Sequence, residues 1–250
     1  MRLASFAEEN RPKMDFVRGP EMGLAAGGSR GCIHEHMVKD NAHSREHGRR
    51  VPNLTTLRKE AAGCTACSLY KNATQTVFGE GPQHARVMMI GEQPGDQEDR
   101  QGHPFVGPAG TLLNKALAAV GISRDEVYVT NIVKHFKWEP RGKRRIHKKP
   151  SAIEISACRQ WLDSEIAFVR PQIIVLLGAT AAQSIMGRHF LVSQQRGRWV
   201  SSAIAPHVLA TVHPSSILRA ADEKSRHEEL ANFVEDLRPV AALMRERAAA

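Results

Sequence analysis

Four short apolar runs constrain the fold of this chain more than any other feature: RVMMIG at 86–91, VYVTNIV at 127–133, QIIVLLG at 172–178 and HVLATV at 207–212. They are rich in Val and Ile and show no regular polar alternation, which is the pattern of strands buried on both faces of a parallel sheet. Helical stretches alternate with them. In AGTLLNKALAAVG (109–121), Leu112, Ala116 and Val120 share a face with Leu113 and Leu117 beside them, and Gly121 ends the helix. SAIEISACRQWLDSEIAFV (151–169) opens with Ser151 and Glu154 in capping-box spacing, then runs a stripe through Ile155, Cys158, Leu162, Ile166 and Val169. GATAAQSIMG (178–187) and the stretch from about 224 to 247 supply two more helices. The alternation predicts an α/β chain: a three-layer α/β/α sandwich on a central, mainly parallel four-stranded sheet.

Residues 1–50 are rich in Gly, Arg, His and Glu and have no apolar period, so a flexible N-terminal extension is expected there and a single folded domain over 51–250. No apolar run approaches the length of a membrane span, and the opening MRLASFAEENRPKMDF carries charges where a secretory signal needs its apolar stretch. A soluble, cytoplasmic monomer is the expectation. The formal net charge of +9 favours an anionic partner, with nucleic acid first in line. Cys64 and Cys67 form a CxxC in GCTACSLY; in a reducing compartment this suggests a metal, a cluster or a redox pair rather than a disulfide. Cys32 lies in the extension and has no expected structural role.

Ligands of parallel α/β sheets bind beyond the carboxyl ends of the strands, and the unusual polar residues cluster there. GEQPGDQEDRQGHPFVGPAG (91–110) crowds Glu92, Gln93, Asp96 and Asp99 into a Gly/Pro-rich turn, with Phe105 in a second turn. An aromatic ring can stack on a planar substrate while carboxamides read its edge. Asn131, at the end of the second run, can accept from a ring N–H and donate to the neighbouring carbonyl, an edge that uracil offers and cytosine reverses. HPSSILR (213–219) follows the last run: His213 suits charge developing on a carbonyl, while Ser215, Ser216 and Arg219 suit a phosphate. Taken singly, Asn131 reads equally well as a strand-end amide and His213 as a packed or capping residue. RGKRRIHKKP (141–150) places one imidazole, His147, among six basic side chains, a pattern that usually means a solvated or polyanion-binding loop.

Together GEQPG…PFVGPAG, VTNIVKH, the upstream CTAC and the closing HPSS resemble the uracil-DNA glycosylase superfamily, specifically its iron–sulfur families related to type 4. Within it, GEQPGDQED, KHFK and above all KRRIH resemble the UdgX group. The likeness spans roughly residues 51–240. It implies uracil-containing DNA as partner, with base flipping followed by cleavage of the glycosidic bond. It also implies a [4Fe–4S] cluster held by Cys64, Cys67 and Cys158, with His135 standing where the family has its remaining cysteine. A Cys₃His zinc site would use the same residue types, and so would a cluster held by three cysteines with His135 facing away; both stay open.

The UdgX likeness implies further that His147 attacks the sugar C1′ after the base leaves, ending in a covalent protein–DNA adduct. Lys143, Arg144, Arg145 and Lys148 would then grip the DNA backbone, and the basic side chains next to His147, Lys149 among them, would disfavour its protonation. Glu92 would orient or activate the attacking group, Asp96 and Asp99 would support it, and His213 would stabilise the leaving base. Two other functions stay open: a conventional, multiple-turnover type 4-like glycosylase, and a non-catalytic reader of uracil in DNA. Glu92, Asp96 and His213 argue against the reader.

Overall fold

The computed structural model describes residues 53–246; the expected extension at 1–50, including Cys32, lies outside the described residues. In chain order the elements are α1 (Leu54–Ala62), β1 (Val87–Gly91), α2 (Asp96–Gln101), α3 (Pro108–Ala119), β2 (Val127–Asn131), β3 (Trp138–Arg141), β4 (Arg144–His147), α4 (Ala152–Val169), β5 (Ile173–Leu177), α5 (Ala179–Met186), α6 (Val192–Gln195), β6 (Trp199–Val200), β7 (His207–Thr211), α7 (Pro214–Leu218) and α8 (Glu223–Glu246). The four apolar runs are β1, β2, β5 and β7, parallel neighbours in the order β2-β1-β5-β7. A fifth strand, β6, pairs antiparallel with β7 through Trp199 and Val200. At two residues it is too short to leave a period in the sequence, so the sheet has one strand more than the expected four.

Strand pleating sends successive side chains to opposite faces, and the two faces build two cores. Val87, Met89, Val129, Val175 and Leu209 pack with Leu113 and Leu117 of α3 and Phe233 and Leu237 of α8. Met88, Ile90, Tyr128, Ile174 and Val208 pack with Cys158 and Leu162 of α4 and Ala182 of α5. Helices on both faces explain why the strands read as unbroken apolar runs, and the expected three layers are present. The capping box also forms: Glu154 N donates to Ser151 Oγ at 3.3 Å and Ser151 N to Glu154 Oε2 at 2.6 Å. The buried line of α4 differs in detail from the expected stripe. It runs through Glu154, Cys158, Leu162, Glu165 and Val169, with Ile155 and Ile166 only partly buried beside it.

Two further local expectations are corrected, and one helix, α1, was not expected. The acidic turn after β1 contains a helix, α2, whose first turn holds Asp96, Glu98 and Asp99, where carboxylates favour the positive end of the helix dipole. The basic loop is a β-hairpin of β3 and β4 joined at Gly142-Lys143, with Gly142 at φ +59° providing the tight turn. And α1, capped by Asn53, packs Leu57 and Ala61 against Phe78, Trp161 and Phe168 and delivers Cys64 directly after its end.

Candidate active site

The carboxyl ends of β1, β2, β5 and β7 open onto one cleft of about 1340 Å³, whose lining includes Glu92, Phe105, Asn131, His147, His213 and Arg219. Residues far apart in the chain meet here because the parallel strands all end on the same edge. Asn131 lies opposite Gly91 across β1 and β2. It is 3% exposed, and its Oδ1 is buried without a hydrogen-bond partner among the described residues. A buried unpaired acceptor is costly, so a ligand N–H is the natural complement. Gly91 makes the approach possible: a Cβ there would come within 2.3 Å of Asn131 Oδ1 and 2.8 Å of Phe105 Cζ.

Phe105 is a non-glycine residue in the left-handed region, at φ +58°. That conformation costs energy and is held by its surroundings. Gly110 leaves the space it needs, since a Cβ at 110 would lie 1.7 Å from Phe105 O. The Phe105 ring stacks at 6.1 Å and 27° against the imidazole of His213.

His213 caps α7, its Nδ1 accepting from Ser215 N at 3.1 Å and lying 2.8 Å from Ser215 Oγ. With Nδ1 occupied as an acceptor, the neutral ring carries its proton on Nε2, leaving one N–H donor. Burial first, then the nearby charges of Arg219 and His147, push its pKa down to about 4. Gly178 at φ +92° lets His213 approach this closely, because a Cβ there would sit 2.9 Å from His213 Cβ. Ser215, expected on a phosphate, thus orients His213, while Arg219 is exposed at the rim.

His147 ends β4 with its side chain half exposed, Nε2 lying 3.5 Å from Glu92 Oε1. Its pKa lies below the ordinary imidazole range: partial burial lowers it most, Glu92 raises it and Arg219 lowers it. The direction matches expectation, but the charge opposing protonation comes from Arg219 across the cleft rather than from the neighbouring basic side chains.

Arg145, on the same face of the hairpin as His147, is not free for DNA. It donates through Nε to Asp96 Oδ1 and through Nη1 to Asp99 Oδ2 at 2.6 Å, with its guanidinium 5.4 Å from the Phe136 ring centre and 5.5 Å from that of Trp138. Asp96 and Asp99 therefore anchor the hairpin; Asp99 is fully buried and also accepts from Thr74 N at 2.9 Å. Gln93 has a similar task. Its Nε2 donates to Lys137 O at 3.2 Å and Lys148 O at 3.0 Å, and its Oε1 accepts from Lys137 N, so its carboxamide clamps both strands of the hairpin rather than reading a base. Lys148 pairs with Glu139 at 2.8 Å, whereas Lys143 and Arg144 at the hairpin tip are exposed.

The sequence named neither Glu98 nor the pair of Lys134 and Glu165. Glu98, 8% exposed, accepts from Gly107 N at 2.7 Å and Gly95 N at 3.1 Å, tying the Phe105 segment to α2. Lys134 and Glu165 form a fully buried ion pair behind Asn131. The one available signal was a carboxylate, Glu165, lying in line with Cys158, Leu162 and Val169 on a helix.

On the opposite side of β2 lie the cysteines. Cys64 Sγ accepts from Trp161 Nε1 and Cys158 Sγ from Lys134 N, both at 3.2 Å. Burial, with Cys64 and Cys67 nearby, pushes Cys158 up to about 11. Thr76 Oγ1 donates to Ala61 O at 2.9 Å, so it must accept from His135 Nε2, also at 2.9 Å. That leaves the lone pair of His135 on Nδ1, the arrangement of a metal-ligating imidazole oriented by an outer partner. Among the described residues no three His, Cys, Asp or Glu side chains are gathered closely enough to hold a metal ion as they stand. The donor chemistry, three thiols with N–H bonds to two of them, nevertheless suits a thiolate-bound group.

The family description "Uracil DNA glycosylase superfamily" matches residues 78–238, well over half of the chain. The chain belongs to the uracil-DNA glycosylase superfamily. A type-4 uracil-DNA glycosylase of Thermotoga maritima is 38% identical over 164 residues, covering 65% of this chain and 82% of the relative. Type-4 uracil-DNA glycosylases of Sulfurisphaera tokodaii (36% identical; 67% of this chain, 77% of the relative) and Archaeoglobus fulgidus (33%; 71% and 89%) are similar too. The superfamily match begins at residue 78, after the CxxC, and contains every cleft residue described above. Among the described residues no helix is long and apolar enough to cross a membrane.

Proposed function

We propose that this glycosylase-family protein excises uracil from DNA and that His147 then captures the sugar, leaving the protein covalently attached. The unpartnered Oδ1 of Asn131 carries the base assignment. Uracil N3–H would satisfy it while the amide N–H donates to O4; cytosine would present a lone pair to Oδ1 and leave both unpaired. Phe105 packs against the base face. As the C1′–N1 bond breaks, its electron pair moves onto the base, and the Nε2–H of neutral His213 donates to the carbonyl where charge gathers. A donor placed in this way contributes about 3 kcal/mol to the transition state.

The sugar is left as an oxocarbenium ion. The lone pair of an imidazole nitrogen of His147 forms a bond to C1′, the other nitrogen releases its proton, and the uracil anion takes a proton from solvent. Glu92, 3.5 Å away, stabilises the imidazolium as it forms. Lowered basicity keeps His147 neutral and nucleophilic near pH 7. Lys143 and Arg144 at the hairpin tip and Arg219 at the rim are exposed, which supports a role for them in meeting backbone phosphates.

Cys64, Cys67 and Cys158, with His135 through Nδ1, would hold a [4Fe–4S] cluster, zinc being the rival. When bound, the group would act as a structural tie on the side of β2 away from the cleft. This chain's residues do the chemistry.

A second reading, conventional hydrolytic turnover, is favoured by one observation: Glu92 lines the cleft with its side chain 19% exposed and could activate water instead. Intact mass measurement after incubation with uracil-containing oligonucleotide separates the two. Capture gives a protein–DNA mass that survives denaturation, is lost in His147→Ala, and accompanies about one uracil per protein molecule. Repeated uracil release with no added mass would establish turnover. Absence of any base release would leave only a reader of uracil.

A further inference from the structure

The Lys134–Glu165 pair is closed to solvent, at 1% and 0% side-chain exposure, and every polar atom in it is used. The ammonium has three N–H groups and three acceptors: Thr130 Oγ1 at 2.6 Å, Asn131 O at 2.8 Å and Glu165 Oε2 at 2.5 Å. Glu165 accepts in addition from Thr130 Oγ1 at 2.8 Å, Gly79 N at 2.8 Å and Tyr128 OH at 3.2 Å. Burying such a pair rarely stabilises a fold more than apolar side chains of the same volume would. Its geometry suggests another purpose.

Among the described residues no donor reaches the side-chain oxygen of Asn131, so no hydrogen bond at that atom fixes where it points. Its position follows from the backbone. The peptide after Asn131 is held at both ends: Ile132 N donates to Gly91 O at 3.0 Å, and Lys134 Nζ grips the carbonyl of Asn131. Glu165 in turn ties the ammonium to α4. We infer that Lys134 and Glu165 are positioning residues that hold Asn131 ready to discriminate uracil, an inference that rests on the excision reading above.

The test uses the full chain and three variants: Lys134→Met/Glu165→Leu, which removes both charges while keeping volume, Glu165→Gln, and the milder Thr130→Val. Stability comes from urea unfolding. Single-turnover uracil release is measured against enzyme concentration, and binding to a matched cytosine-containing oligonucleotide is measured alongside. The double variant, compared where it is fully folded, should release uracil about 10²-fold more slowly, the scale of a displacement near 1 Å. Its affinity for the cytosine oligonucleotide, set by backbone contacts, should not change. Thr130→Val and Glu165→Gln should fall in between.

Wild-type release by a fully folded double variant, or by Thr130→Val and Glu165→Gln if the double variant does not fold, overturns the inference. Equal loss of uracil release and cytosine-oligonucleotide binding also overturns it, because that is the mark of a general structural defect. A wild-type protein that releases no uracil instead removes the excision reading beneath it, a result distinct from an active wild type with equally active variants.

Discussion

Arg145 and Asp99 meet through a 2.6 Å hydrogen bond between an arginine side chain that is 14% exposed and an aspartate side chain that is fully buried. Alternation along β4 puts His147 two residues further on the same face, so the contact that docks the hairpin also sets the height of the imidazole above the cleft. In KRRIH, the second arginine is thus an anchor and the histidine its cargo.

Removing the anchor should be expensive. Arg145→Met leaves Asp99 buried and uncompensated, at a cost of about 3 kcal/mol. Urea unfolding should show that loss. Where the variant remains folded, covalent capture should fall further than uracil release, because the base pocket does not contain Arg145.

Gly91 and Asn131 separate fold from pocket. Gly91→Ala introduces a Cβ into atoms of two cleft side chains, Asn131 Oδ1 and Phe105 Cζ. Uracil release should be nearly abolished. Asn131→Ala removes the amide itself and should slow release by about 10- to 100-fold, the effect of 1–3 kcal/mol. Release assays beside thermal melts distinguish these effects from unfolding.

The pH behaviour follows from two imidazoles whose pKa values lie below the ordinary range. His213 is near 4 in the folded protein and about 6.5 when unfolded. Its contribution is fully present above the unfolded value and is lost as pH falls from about 6.5 toward 4, by up to about 3 kcal/mol. Urea melts of wild type and His213→Gln across this window should show the steeper loss in wild type. On the proposed capture reading the neutral ring of His147 attacks, so capture should reach its plateau by pH 7, with its midpoint on the acidic side of 6.5.

The cysteines give a compositional test. Purified protein should contain iron and acid-labile sulfide, and Cys64→Ser, Cys67→Ser or Cys158→Ser should each lower the metal content and the melting temperature. Zinc without sulfide would decide for the rival site. His135→Ala with undiminished metal would restrict the ligands to the three thiols.

Much of the architecture was legible because burial on both faces of a parallel sheet leaves unbroken Val- and Ile-rich runs, and the strand ends then locate the cleft. The hairpin was not. Its strands carry Arg and Glu on a largely exposed surface, where no burial imposes a readable period. The same lack of a period hid β6. Asp96, Asp99 and Gln93 looked like site residues because polar side chains beside a strand end have the same sequence appearance whether they face a ligand or brace a neighbouring segment.

The sequence by itself determined the α/β class, the set of residues brought to one sheet edge and the family to which the chain belongs, since all of these follow from local apolar pattern and motif order. Only the tertiary structure decided which of those residues remain free. Hydrogen-bonding capacity is finite, and the partners that occupy Arg145, Asp96, Asp99 and Gln93 come from distant segments, whereas among the described residues the oxygen of Asn131 is left without one.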